Sequence, residues 1–257
     1  MQGLEPIVNS EDLLTIGYST LSDRARNIKF LTGVRNLVIV QNPHSSALPT
    51  FSPEVLVLEL KNRGVTKSRN AAITNATGKY LLFGDDDLEF NQLGIQEVVS
   101  YLEANPQISI VLAQAVNEKG ELRKAYPKNS HSLKLRNSAK AATYEMFIRL
   151  ADFKRLDIKF DENFGAGAEN YLGDEYILIA DALRSGLKGT FLPIIVAMHP
   201  ADSSGNLRNT RKDISARSQV FTRVFGIWAI PMRLAFLVKP PFKKFGILNS
   251  IRFIIGK

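Results

Sequence analysis

Short apolar runs closed by turn residues recur along the first half of the chain. LLTIGYST (Leu13–Thr20) and the Leu37–Val40 core of RNLVIVQNP have the length and endings of buried strands. EVLVLEL (Glu54–Leu60), Tyr80–Phe83 and ISIVLAQAV continue the series. Segments of helical character separate them. A helix is predicted within Asp23–Leu31, and another in VTKSRNAAITNATG, with Gly78 as its C-cap. In NQLGIQEVVSYLEANP, Ile95, Val98, Val99 and Leu102 share one helical face, and Asn105-Pro106 ends the helix. Strands alternating with helices predict a doubly wound α/β sheet. The second half is mixed: ATYEMFIRL reads as a strand, DFKRLDI as a short helix and Glu175–Ser185 as a helix.

Composition adds boundaries. The 257 residues, 45% hydrophobic and 23% charged, suit a globular chain with a sizeable core. There is no cysteine, which excludes disulfides and thiolate metal sites. No basic-then-apolar leader is expected at the N-terminus, and no apolar run approaches the ~20 residues of a bilayer span. The net charge of +8 is unevenly placed. Gly205–Lys257 carries eleven Lys or Arg and one acid, leaving the rest of the chain at −2. The basic character therefore belongs to a tail.

Against this background GKYLLFGDDDLEF (Gly78–Phe90) stands out, because an apolar strand ends in Asp85, Asp86 and Asp87. In doubly wound sheets ligands bind beyond the C-terminal strand ends. Side chains alternate along an extended segment, so Asp85 and Asp87 point the same way. Two carboxylates on one side suit a hard divalent cation, Mn²⁺ or Mg²⁺, that also binds substrate phosphates. An EF-hand is excluded, since Phe90 stands where its glycine belongs.

GVTKSRNAAITNATGKYLLFGDDD resembles the core of family 2 glycosyltransferases with the GT-A fold. FDENFGAG, GDEYILIADALRSG and MHPADSSG resemble later family segments in the same order, so the likeness spans roughly residues 12–205. The resemblance implies an inverting, metal-dependent transfer from a nucleotide diphosphosugar, a UDP-sugar by expectation, to a glycan or lipid-linked acceptor. It implies that Asp85 contacts the ribose or sugar, with Asp86 beside it, and that Asp87 ligates the metal with Asp85. His199 would complete the metal or diphosphate site. Arg69 would contact the nucleotide, and Thr20 and Asn42 would lie around the base. Gln41-Asn42 replaces the usual Asp-Asp, and the family's Thr-Tyr-Asn is here Thr20-Leu21-Ser22. Glu175 is the expected catalytic base, with Asp174 the alternative because the acidic pair is reversed.

The expected organisation is a nucleotide-sugar-binding half (1–115), an acceptor and base half (116–204) and a basic, apolar membrane-associating tail (205–257). In the tail, Pro231, Pro240 and Pro241 are expected to break the chain into short pieces, and Arg233 interrupts the longest apolar stretch. Such pieces suit a membrane surface, which places the protein in the cytoplasm on the inner face of the cell membrane. Two alternatives are a sugar nucleotidyltransferase, whose glycine-rich loop is missing around Thr15–Arg26, and a non-catalytic membrane- or nucleic-acid-binding protein. The body offers nucleic acid no basic surface interleaved with aromatics.

Overall fold

The structure, a computed structural model, describes residues 13–200, 210–238 and 245–256. Nine strands form one mixed sheet in the order β3-β2-β1-β4-β8-β6-β9-β5, and β7 pairs with β9. The strands are β1 (Leu14–Leu21), β2 (Arg35–Gln41), β3 (Leu56–Leu60), β4 (Tyr80–Asp85), β5 (Glu89–Phe90), β6 (Ile108–Val116), β7 (His131–Ser132), β8 (Met146–Arg149) and β9 (Lys188–Met198). The helices are α1 (Val65–Asn75), α2 (Gln92–Ala104), α3 (Leu150–Arg155), α4 (Asp174–Arg184), α5 (Arg211–Phe225), α6 (Ala229–Leu237) and α7 (Gly246–Ile255).

Strands β1 and β4 are buried along nearly their whole length because both faces are covered. Alternation divides their side chains between two cores. Leu81 and Phe83 meet Ala72 and Ile73 of α1 and Leu178 and Ile179 of α4. Tyr80 and Leu82 meet Ile95, Val98, Val99 and Leu102 of α2, the face the periodicity predicts.

Two local expectations fail. Asp23–Leu31 holds only a three-residue 3₁₀ turn, Ala25–Asn27, and its buried apolar positions are limited to Ala25 and Ile28. The α1 helix ends at Ala76, and Gly78 does not cap it. Gly78 instead lies against β1, where a Cβ would come within 2.8 Å of the Thr15 backbone nitrogen.

The chain runs outward through β1, β2 and β3, then returns to place β4 on the other side of β1. β1 and β4 thus flank the topological switch point. β8 is antiparallel to both β4 and β6, and β6 is parallel to β9. The C-terminal ends of β1, β2, β4, β6 and β9 and the N-terminal end of β8 therefore share one edge. Residues far apart in sequence, Thr20, Gln41, Asp85, Tyr144 and His199, meet there for this reason.

The C-terminal segment is folded rather than trailing. Val220 and Val224 of α5 pack with Tyr176, Ile177 and Ala180 of α4. Arg223 pairs with Asp161 and Asp181, both at 2.7 Å. Asp213, buried, accepts from Tyr171 at 2.9 Å and from Arg217 at 3.0 Å. Pro231 does not break the helix; it sits in the first turn of α6, where its missing N–H costs nothing. The interruption comes before it, at Gly226–Trp228, with Gly226 at φ 53°. Pro240 and Pro241 lie outside the described residues. The run Arg211–Leu237 is long and apolar enough to cross a membrane by length and composition, contrary to the expectation of no such run. Arg233 in it is buried, donating to Ile254 and Ser218 carbonyls and so tying α6 to α7 and α5.

Candidate active site

The site is built at the shared edge from β4, α1, α4 and the end of β9. Asp85 closes β4, while Asp86 and Asp87 follow in a turn. Their side chains diverge as alternation requires. Asp86 is buried and accepts from the Thr20 hydroxyl at 2.7 Å and from Arg24, an ion pair formed across the switch point. Asp87 is partly exposed and faces His199, with Nε2 to Oδ1 at 3.6 Å.

Arg69 is the hub. It projects from α1 and is buried, with its guanidinium over the Phe160 ring. Nη1 donates to Asp174 at 2.6 Å and lies 3.7 Å from Glu175, and Nη2 lies 3.8 Å from Asp85. One guanidinium thus touches the acid that ends β4 and both acids that begin α4. Despite its burial, Asp174, Asp85 and Glu175 together raise its pKa and keep it charged.

Glu175 has the environment of a base. Burial, reinforced by the adjacent Asp174 carboxylate and only partly offset by Arg69, pushes its pKa up to about 8. Asp174 is spent on Arg69, whereas the Glu175 side chain retains 23% exposure. Burial also raises Asp85 and Asp86, with Arg69 acting against it at Asp85 and Thr20 at Asp86.

Several predicted positions take other work. Asn42 is buried, and its amide donates to the Ser46 carbonyl at 2.8 Å and to Glu59 at 3.2 Å. Its oxygen accepts from Ser46 N–H at 2.9 Å. These bonds hold the turn after β2 and use both amide hydrogens, so Asn42 presents no donor edge to a base in this conformation. Thr20 and Asp86 bind each other, which makes them supports of the acid turn. Arg69 is pinned beneath Asp85 rather than standing out from the surface. Gln41 accepts from the Gly64 N–H at 2.8 Å and so joins the end of β2 to the start of α1.

Three residues were not anticipated. Arg24 bridges Asp86 and Asp87, the latter at 3.5 Å. Tyr144 lays its ring on His199 with centroids 5.0 Å apart. Ser19 pairs in register with Asp85, and its buried hydroxyl has no hydrogen-bond partner. Arg24 had a signal, since it is a cation in the loop after the first strand. Ser19 and Tyr144 had none.

Among the described residues no group of three or more His, Asp or Glu is gathered to hold a metal. The available donors nonetheless fit a hard cation. His199 Nδ1 donates to the Pro200 carbonyl at 2.9 Å, and Nε2 faces the Asp87 carboxylate. A carboxylate oxygen and an imidazole nitrogen facing one another are ligand types that suit Mn²⁺. The Ser19 hydroxyl beside Asp85 awaits a polar partner.

A single mixed sheet wound on both faces, with acids at the end of the strand beside the switch point, defines a GT-A type nucleotide-sugar fold. Residues 44–167 match the family model for glycosyl transferase family 2. The S. aureus TarS 1-349 structure in complex with UDP-GlcNAc superposes with a TM-score of 0.58 at 13% identity, covering 95% of this chain and 78% of that one. Its complex with UDP gives 0.56 at 13% identity, covering 94% and 69%. The S. aureus TarS structure gives 0.56 at 14% identity, covering 95% of this chain and 55% of that one. No curated protein sequence matches. The match of residues 44–167 makes the chain similar to glycosyl transferase family 2 and marks it as a glycosyltransferase. The nucleotidyltransferase and non-catalytic alternatives fall with that assignment.

Proposed function

We propose that this protein is an inverting, divalent-cation-dependent glycosyltransferase that moves a sugar from a nucleotide diphosphosugar, a UDP-sugar by preference, to a hydroxyl of a glycan or lipid-linked acceptor. The observation that carries the reading is the placement of Arg69 between Asp85 and Glu175. It holds a donor-side acid and a candidate base on either side of one fixed charge.

In this reading Asp85 and the Ser19 hydroxyl orient the donor at the switch point. Glu175 accepts the proton of the acceptor hydroxyl as its oxygen attacks the anomeric carbon. The bond from that carbon to the diphosphate oxygen breaks on the opposite face, and the nucleotide diphosphate leaves with the electron pair. Its elevated pKa makes Glu175 a competent proton acceptor near neutral pH. Asp87 and His199, with Asp85, would hold Mn²⁺ or Mg²⁺, which supplies positive charge for the leaving diphosphate. Asp174 fixes Arg69 and is a positioning residue.

The body occupies the cytoplasmic face of a membrane, and the nine-stranded sheet works beside it. Support for that comes from the surface beyond Phe225. Ile227 is 91% exposed, Ile247 82% and Val238 74%, with Trp228, Ile230, Leu234, Leu248, Ile251 and Ile255 also exposed. A patch of this kind in a strongly basic segment suits an anionic bilayer surface. The direct test is nucleotide release from a panel of nucleotide sugars with and without Mn²⁺. No release from any of them with Mn²⁺ present would overturn the reading.

A further inference from the structure

A cavity of ≈ 580 Å³ lies between the body and the C-terminal helices. That volume is within the ~300–1,000 Å³ of small-molecule sites. One wall is apolar: Leu133 and Phe191 from the body, Leu172 ahead of α4, Val220 and Phe221 from α5 and Phe236 from α6. The charged part of the lining is mostly basic, with Lys124, Arg136, Lys140 and Arg217 against a single carboxylate, Glu145. Glu145 is already consumed, because it is buried, pairs with Lys124 at 2.8 Å and accepts from the Tyr126 hydroxyl. Arg136 and Lys140 stand exposed at the rim.

The cavity adjoins the chemistry. Gly173 and Tyr176 line it, and Glu175 lies between them at the start of α4. Glu145 lines it too, and the neighbouring Tyr144 rests on His199. Helix α6 contributes Phe236 to the cavity while exposing Ile230 and Leu234 to solvent. The same helix therefore faces both the cavity and the surface proposed to meet lipid.

We infer that this cavity holds the lipid-phosphate part of the acceptor: an apolar chain against the phenylalanine and leucine wall, and a phosphate at Lys124, Arg136 and Lys140. A neutral glycan would leave the apolar wall and the rim cations Arg136 and Lys140 unused. A free phosphate would leave the wall bare. The inference rests on the glycosyltransferase reading and names the acceptor class for it.

The experiment is titration calorimetry of the full chain, without donor, using dodecyl phosphate below its micellar concentration. Decyl maltoside and inorganic phosphate serve as the neutral-head and headless controls. Saturable binding of one dodecyl phosphate per chain is expected, at least tenfold tighter than either control. The Arg136→Glu/Lys140→Glu variant should weaken it at least tenfold. Ala141→Phe, which fills the cavity, should do the same, with thermal melts establishing that each variant is folded. Ile227→Asp/Ile247→Asp, altered only on the exposed face, should keep the affinity. Equal binding of phosphate and maltoside amphiphiles, no binding at all, or affinity unchanged in both the charge-reversed and filled variants would overturn the inference. Donor hydrolysis by the unaltered protein, measured in parallel, reports separately on the glycosyltransferase reading. Hydrolysis without alkyl phosphate binding defeats the cavity assignment alone.

Discussion

Arg69 Nη1 stands 2.6 Å from Asp174 Oδ2, and both side chains are buried. The pair links α1 to α4 beneath the site, so it sets where Glu175 points. Removing one partner of a buried pair costs ~3–5 kcal/mol because the other charge is left uncompensated. Arg69→Met should therefore lower stability by about that amount, and adding Asp174→Asn should recover part of the loss. Urea unfolding midpoints of the single and double variants decide this; a double variant no more stable than Arg69→Met would show that the pair is not the cause.

Glu175→Gln should retain donor binding and lower turnover by ~10²- to 10⁴-fold, the range for general-base catalysis. In the unaltered enzyme kcat/KM should rise with pH and level off above about 8, as the base ionises. A profile already flat from pH 6 would remove Glu175 from the role and return Asp174 as the alternative.

The same group makes a stability prediction of defined sign. Its folded pKa lies above its unfolded value, so the native state holds the proton over a window where the unfolded chain has released it. Stability must then fall as pH rises from about 4.5 to about 8, and the penalty is complete above that. Glu175→Gln escapes the penalty. At pH 9 it should melt at least ~2–4 °C higher than the unaltered protein, the shift that ~1 kcal/mol produces in chains of 150–250 residues. At pH 4 the two should melt together. A variant that melts lower at pH 9 would contradict the environment assigned to this carboxyl.

Asp86 and Asp87 should separate by phenotype. Asp87→Asn is expected to abolish nearly all Mn²⁺-dependent transfer and weaken Mn²⁺ binding in electron paramagnetic resonance titrations, with the melting temperature kept. Asp86→Asn removes the anchor to Thr20 and Arg24 and should act on stability, by ~1–3 kcal/mol for a lost charged hydrogen bond. Mn²⁺ affinity unchanged in Asp87→Asn would end the proposed coordination.

Replacing Ile227, Ile247 and Leu248 by serine should abolish sedimentation with anionic vesicles while leaving donor hydrolysis intact. All three lie on the exposed surface after α5, remote in sequence from Asp85 and Glu175. Undiminished pelleting would place membrane contact elsewhere or dismiss it.

Strand and helix identities were legible because burial on both faces writes itself as unbroken apolar runs, as in β1 and β4. The acid turn was legible for the same reason, since three carboxylates after such a run have few structural uses. What could not be read were relationships made by topology. Nothing in the sequence brings Tyr144 to His199, because only the antiparallel insertion of β8 carries residue 144 to the active edge. Asn42 looked available to a ligand because its partners, Ser46 and Glu59, arrive through the turn and a neighbouring strand. In the tail, composition showed the basic excess but not its partners: Arg223 and Arg217 are matched by Asp161, Asp181 and Asp213, two of them distant in the chain.

The position of β8 has a mechanical consequence. It hydrogen-bonds to β4 on one side and β6 on the other, so the portions of the sheet on either side of it are adjoining parts of one continuous ladder. They cannot swing apart like jaws without tearing backbone pairs in the middle of the sheet. Arg69, between Asp85 and Glu175, ties the start of α4 to that ladder. Admission of substrate and expulsion of product fall to loops at the rim, and a change of sugar or acceptor can be made there without disturbing the frame that spaces the two acids.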